Sequence, residues 1–120
     1  MKNRKYKILV LSDLKESTIN VLKSSISLAK MVDGDIEFFH VKRPIDVVEK
    51  ESQLSAFRII NEQHSATKKS IQKFVNPLSE TYGLVINYSY VFGNVKNEIR
   101  EYIANYKPDI IVLGKRASKT

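Results

Sequence analysis

A strict alternation of short apolar runs with longer segments of helical periodicity constrains the fold of this chain most. The apolar runs, each bounded by turn-forming or charged residues, cover residues 6–11, 35–41, 84–91 and 109–114. Between them, apolar residues recur at three- and four-residue spacing, as in amphipathic helices. This order predicts right-handed crossovers and a three-layer α/β sandwich, with one parallel sheet covered by helices on both faces. A length of 120 residues suits a single domain spanning residues 1–120.

The first helix is expected to start close to the end of the first apolar run. Asp13 is followed three residues later by Glu16, a spacing that resembles a capping box. From Ile19 onward, apolar residues repeat at helical spacing, and Gly34 is expected to end the helix.

The second helix is predicted from about residue 46 to residue 82. Its apolar stripe weakens around His64 and Thr67, which allows a break there, and Pro77 is expected to kink its end. A third helix is expected between the turn at residues 92–94 and Lys107. The stripe predicted to be buried in the second helix consists of Leu54, Phe57, Ile60, Ile71, Phe74 and Leu78.

The strand order decides where a ligand can bind. The polar alternation in residues 84–91 suggests an edge strand, and the orders 3-2-1-4 and 2-1-3-4 both satisfy the pattern. In either order, ligands bind beyond the carboxyl ends of the strands, where the winding direction reverses. Functional residues are therefore sought at Ser12 and Asp13, and in the segments 41–43, 92–93 and 114–120.

Several kinds of catalytic site are missing from the sequence. There is no cysteine, no GxGxxG after the first strand, no GxxxxGK[ST] and no nucleophile elbow. His40 and His64 have no carboxylate at metal-ligand spacing, so both are interpreted as surface or partly packed side chains. We therefore expect neither an enzyme nor a metal site.

The charge pattern favours a solvated surface. The formal net charge is +7, but basic residues are spread along the chain and alternate with acidic ones. A nucleic-acid-binding module is therefore a remote alternative, since no recognised motif or aromatic stacking platform accompanies the charge. The apolar run after the basic N-terminus is too short for a signal peptide or a membrane span, so we expect a cytoplasmic location.

Five segments in order carry a resemblance to a known family. They are the run from Tyr6 to Asp13, the helix at residues 15–30, the strand end at residues 39–41, the turn and helix start at residues 92–95, and residues 109–114. Together they resemble the universal stress protein family. The resemblance implies a Rossmann-like, adenine nucleotide alpha hydrolase-like fold with strand order 3-2-1-4-5, homodimers and, in one subgroup, ATP held between strands 1 and 4.

The resemblance also assigns candidate binding residues. Leu11, Ser12 and Asp13 would lie beside adenine and ribose, backbone groups of Val41 would read the adenine edge, and Gly114 would begin the phosphate loop. The sequence departs from the ATP-binding pattern in that loop. Ala117 stands where a glycine is expected, and the second glycine with its hydroxyl neighbour would lie beyond residue 120.

These departures set the functional hypotheses. We expect no cofactor as the leading case, with ATP or another adenine nucleotide as the alternative. The family's fifth strand also has no counterpart, so we expect a second copy, a protein partner or a longer parent chain to cover strand 4. The leading hypothesis is a non-catalytic stress-response regulatory or scaffolding domain that acts by self-association or docking, and the alternative is a nucleotide sensor.

Overall fold

The computed structural model describes residues 5–43 and 53–114. All strand pairs within these residues are parallel, in the order β3-β2-β1-β4, so the order 2-1-3-4 is excluded. β3 lies at an edge of the sheet, as predicted. The elements are β1 (Tyr6–Leu11), α1 (Thr18–Val32), β2 (Gly34–Lys42), α2 (Gln53–Tyr82), β3 (Ile86–Phe92), α3 (Val95–Tyr106) and β4 (Ile110–Leu113).

The predicted three layers are present because the central strands are apolar on both faces. On one face, Ile8, Val10 and Phe38 pack with buried residues of α1 and α2. On the other face, a smaller cluster of Leu9, Leu11 and Phe39 packs against partly buried residues of α3. Side chains alternate between the two faces of a strand, so continuous apolar runs are what such a central strand requires.

The predicted start and end of the first helix are both wrong. The Asp13 carboxylate accepts a 2.9 Å hydrogen bond from the Lys15 N–H, which forms a turn instead of a helix cap. The helix begins only at Thr18, since Leu14 takes a left-handed conformation with φ 63°. At the other end, Asp33 is the left-handed capping residue with φ 57°, and Gly34 already belongs to β2.

The second helix is more continuous than predicted. α2 runs without a break past Thr67, which is 5% exposed, and continues through Pro77 to Tyr82. Phe57 and Ile60 were predicted to be buried but are 63% and 44% exposed. The start predicted near residue 46 and the side chain of Leu54 lie outside the described residues.

Length explains why Phe57 and Ile60, in the first half of α2, are exposed. Its 30 residues span about 45 Å at ~1.5 Å per residue, whereas the nine residues of β2 cover about 30 Å at ~3.3 Å per residue. The helix therefore extends beyond the sheet, and the buried apolar residues among its described side chains, Ile71 and Val75, lie in its second half. Ile19, the first residue of the apolar repeat predicted for the first helix, is 42% exposed.

The third helix starts and ends close to its predicted bounds. Asn94 caps it by accepting a 3.0 Å hydrogen bond from the Asn97 N–H. Lys107 ends it in a left-handed conformation with φ 53°. Among the described residues, no helix combines the length and apolar character that crossing a membrane requires.

Candidate functional site

A cleft of about 260 Å³ opens beyond the carboxyl ends of β1, β2 and β4. Its position at the reversal of winding order is where ligands bind in open α/β sheets. Five of the six predicted site residues line it, and the sixth, Ala117, lies outside the described residues. The lining residues are Leu11, Ser12, Asp13, Phe39, His40, Val41, Val95, Ile99, Leu113 and Gly114.

The loop after β1 is held by its own hydrogen bonds. Ser12 Oγ accepts a 3.0 Å hydrogen bond from the Leu14 N–H and lies 2.8 Å from the hydroxyl of Thr18, a buried residue at the start of α1. The side chains of Ser12 and Asp13 thus both accept hydrogen bonds from backbone N–H groups of the same loop. The loop therefore presents the Asp13 carboxylate to the cleft from a preorganised backbone.

Gly114 closes the cleft on the β4 side. Its N–H donates a 3.0 Å hydrogen bond to the Leu11 carbonyl, so this group continues the pairing of β4 with β1. A Cβ at this position would lie 3.5 Å from Leu11 O, Ser17 Oγ and Val21 Cγ2, which is ordinary contact distance. Gly114 is the residue expected to begin a phosphate loop, and its N–H already donates to the carbonyl of Leu11 within the sheet.

The structure places His40, discounted from the sequence, in the wall of the cleft. It is 7% exposed, and its Nδ1–H donates a 2.9 Å hydrogen bond to the Ser12 carbonyl. Burial lowers the pKa of the imidazole and Lys42 lowers it further, against the opposing effect of the Ser12 hydrogen bond. Nδ1–H donation to the carbonyl leaves the other ring nitrogen of a neutral imidazole as an acceptor.

His64 differs from His40 in its position. It is exposed on α2, and its ring packs against Phe92 with centroids 4.4 Å apart. It does not line the cleft. The prediction of a surface histidine is therefore confirmed for His64, whereas His40 is buried at the site.

A second compartment of about 590 Å³ adjoins the cleft, between the end of β2 and α2. The two compartments share Asp13, His40, Val41 and Val95. The remaining residues that line the second compartment are Leu14, Lys15, Lys42, Arg43, Gln63, Ala66, Thr67 and Ser70.

A polar network supports the floor of the cleft from the α3 side. Phe39, which lines the cleft, stacks on the Tyr102 ring with centroids 3.9 Å apart. The Tyr102 hydroxyl donates a hydrogen bond to the Glu37 carboxylate, which also accepts one from Ser89 at 3.3 Å. Burial and the bond to Glu37 raise the pKa of Tyr102 to about 12. Nothing in the spacing of these residues along the sequence signals that they meet.

The lining of the cleft is mostly apolar. In residues 5–43 and 53–114, no three His, Asp or Glu side chains come together as ligands for a metal ion. The cleft instead combines apolar walls with one carboxylate and one neutral imidazole. Apolar walls with a few oriented polar groups are typical of small-molecule sites.

Comparisons with known proteins agree with this geometry. The model of the universal stress protein family matches residues 6–120, whereas a search of curated protein sequences gives no significant match. A universal stress protein UspA from Lactobacillus plantarum superposes with a TM-score of 0.76 at 15% identity, covering 99% of this chain and 83% of that one.

Two further solved structures show the same fold. A universal stress protein family member from Burkholderia pseudomallei has a TM-score of 0.63 at 14% identity, covering 91% of this chain and 80% of that one. A family member from Arabidopsis thaliana, solved with AMP bound, has a TM-score of 0.60 at 18% identity, with coverages of 93% and 78%. Because the family model matches nearly the whole length of the chain, the chain belongs to the universal stress protein family.

Proposed function

We propose that this chain is a non-catalytic regulatory domain that binds an adenine nucleotide in the cleft at the carboxyl ends of β1, β2 and β4. The observation that carries the proposal is the convergence of Leu11, Ser12, Asp13, Val41 and Gly114 on one cleft. A related fold from Arabidopsis thaliana was solved with AMP bound, which supports the choice of ligand.

The walls of the cleft suit a nucleoside. Phe39, Val95 and Ile99 offer apolar surface for the faces of a purine. β2 continues to Lys42, beyond its last pair with β1 at Leu11 and Phe39. The backbone of Val41 therefore has no strand partner on the β1 side, which leaves it able to read the edge of a base.

The polar groups suit binding better than turnover. Asp13 and His40 are the titratable side chains among the described residues lining the cleft, and each already bonds to a backbone group of the β1–α1 loop. In these positions they shape the loop and can orient a ribose. Regulation requires only that the ligand binds two states of the domain with different affinities. That difference shifts the conformational or docking equilibrium between the two states.

Titration calorimetry with AMP and ATP tests this proposal, with chromatography of the nucleotides after long incubation. We expect saturable binding with the nucleotide recovered intact. Asp13→Asn should weaken binding several-fold, because it removes the charged acceptor for a ribose hydroxyl. Asp35→Asn is the matched control, since Asp35 is exposed at the amino end of β2, beside Lys5. Absence of binding, or conversion of ATP to ADP, would contradict the proposal.

Self-association along β4 is a second candidate function. β4 pairs only with β1 among the described strands, and Ile111 and Leu113 are 43% and 69% exposed on it. An apolar strand edge of this kind invites pairing with another chain. Sedimentation at rising protein concentration tests it, and a monomer throughout would count against it.

A further inference from the structure

We propose that His40 is a positioning residue of the nucleotide site. Its buried imidazole holds the loop after β1 so that the Asp13 carboxylate and the backbone of Val41 face the same ligand. This inference rests on the proposed nucleotide function and names the residue that sets the geometry of that site. His40 acts through the loop and does not need to touch the ligand.

His40 lies where the pairing between β1 and β2 stops. The last paired residues of these two strands are Leu11 and Phe39, whereas β2 continues beside β3 as far as Lys42. Beyond Leu11 the pairing of β1 with β2 no longer fixes the distance of the chain from β2. The Nδ1–H of His40 donates a 2.9 Å hydrogen bond to the carbonyl of Ser12, the first residue after the paired segment. A side chain thus replaces the backbone pairing that has ended.

The imidazole supports the loop from the face of the sheet that α1 and α2 cover. Side chains alternate along a strand, so His40 shares its face of β2 with Phe38, which packs with α1 and α2. Phe39 and Val41 lie on the other face, against α3, and form part of the apolar wall of the cleft. His40 is 7% exposed, which suits a support for the loop better than a surface for a base.

The loop after β1 takes a conformation that has to be held. Leu14 has φ 63°, and a residue other than glycine keeps such a left-handed conformation only where its surroundings impose it. Its N–H donates to Ser12 Oγ at 3.0 Å, and this oxygen lies 2.8 Å from the hydroxyl of the buried Thr18. Ser12 is therefore held at its hydroxyl as well as at its carbonyl. Because Asp13 follows directly, its position is set by the same contacts.

The two groups proposed to meet the nucleotide lie on opposite sides of the gap that His40 bridges. Asp13 follows β1 and Val41 belongs to β2, and both line the cleft. A ligand that contacts both groups requires their separation to be held within about 0.5 Å. Loss of the imidazole should therefore weaken nucleotide binding through a displaced Asp13.

Titration calorimetry of the full chain with AMP tests the inference. His40→Leu removes the donor and should lower AMP affinity roughly five- to tenfold. His40→Asn is the conservative variant, because its amide nitrogen is bonded to Cγ, as Nδ1 is, and carries an N–H donor. It should restore AMP affinity to within about twofold of the parent chain.

Ser25→Ala is the control for a loss of stability alone. Ser25 is fully buried in α1, and its hydroxyl donates to the Val21 carbonyl within the same helix. Its replacement removes a buried hydrogen bond without touching the loop, so AMP affinity should not change.

A double-mutant cycle tests whether His40 acts through Asp13. In the Asp13→Asn background, His40→Leu should change AMP affinity by less than about twofold, because the carboxylate that the imidazole positions is already gone. Nuclear magnetic resonance of the ligand-free chain gives a second measurement. The backbone N–H signals of Leu14 and Lys15 should shift in His40→Leu and return toward their parent positions in His40→Asn.

Two results would overturn the inference and leave the proposed function intact. Equal losses of affinity in His40→Leu and His40→Asn would show that the hydrogen bond to Ser12 is not the cause. An undiminished loss in the Asp13→Asn background would show that His40 acts independently of Asp13. If His40→Leu does not fold, His40→Gln, whose donor lies one bond farther from the backbone, replaces it and should bind AMP more weakly than His40→Asn. Failure of the parent chain to bind AMP would remove the proposed function as well.

Discussion

The Nδ1–H of His40 donates a hydrogen bond of 2.9 Å to the backbone carbonyl of Ser12, across 28 residues of sequence. This bond ties the end of β2 to the loop after β1, and its two residues both line the candidate cleft. The position of the loop after β1 therefore depends on one buried imidazole at the end of β2.

Stability should fall as the pH is lowered below about 6.5, the ordinary pKa of histidine. Burial lowers the pKa of His40, so in this range the unfolded chain binds a proton that the folded chain does not. The loss should begin near the unfolded pKa and level off below the folded one. Urea unfolding between pH 5.5 and 8 measures the effect, above the range where most carboxylates titrate.

Two substitutions test whether His40 causes this pH dependence of stability. His40→Gln should flatten the slope of unfolding free energy against pH, whereas His64→Gln, which removes an exposed histidine, should leave the slope unchanged. An equal response of the two variants would show that His40 is not its source.

The hydroxyl of Tyr102 should contribute about 1.5–3 kcal/mol to the free energy of unfolding, the usual range for a hydrogen bond to a charged group. Tyr102→Phe removes the donor to Glu37 and keeps the ring on Phe39. Tyr106→Phe is the control, because its ring can still lie beside Lys7 and Tyr102. Chemical denaturation of the two variants gives the comparison.

The same contact predicts an ultraviolet titration in which Tyr102 ionises late, and burial also raises the pKa of Tyr106. The pKa of Tyr102 is raised to about 12, against an ordinary 10.0. Stability should therefore decline as the pH rises from about 10 toward 12, since the unfolded chain loses this proton first. In Tyr102→Phe the latest transition should disappear, and its persistence would assign it to another tyrosine.

The sheet and the cleft were accessible to sequence reasoning because both follow from periodicity and topology. Central strands such as β1 must be apolar on both faces, and the ends of parallel strands meet at one edge. The resemblance supplied the strand order, which alternation alone left open. Leu11, Ser12, Asp13, Val41 and Gly114 were therefore placed at one edge of the sheet before any geometry was known.

Contacts between elements distant in sequence were not accessible in the same way. His40 was discounted because it had no metal-ligand spacing, yet its partner is a backbone carbonyl, which leaves no mark in a sequence. Phe57 fits a helical stripe, but periodicity cannot show where the sheet beneath a helix ends. Asp13 matched a capping box and instead closes a turn, since the left-handed Leu14 delays the helix.

Gly34 and Gly114 should respond differently to alanine. At Gly34 an added Cβ would lie 2.8 Å from Ile8 Cδ1 and 3.1 Å from the Tyr6 carbonyl, within a fully buried part of the core. Gly34→Ala should cost about 1–3 kcal/mol by overpacking.

Gly114→Ala meets ordinary contacts and should change stability by less than about 0.5 kcal/mol, while its methyl group narrows the cleft and weakens nucleotide binding. Thermal unfolding and calorimetry separate the two effects, and a large loss of stability in Gly114→Ala would contradict the assignment.

The apolar edge of β4 should drive self-association that a single charge abolishes. Leu113 is 69% exposed, so Leu113→Lys should leave the melting temperature of the monomer nearly unchanged while it blocks pairing along this edge. Sedimentation velocity over a wide concentration range should show association in the parent chain and a monomer in the variant.

Val85→Lys is the matched control, because Val85 is 75% exposed just before β3, at the opposite side of the sheet. If both variants associate as the parent does, the contact lies on a surface other than β4. If nucleotide also changes the association of the parent chain, Leu113 connects nucleotide binding with self-association, since it lines the cleft and lies on the edge strand β4.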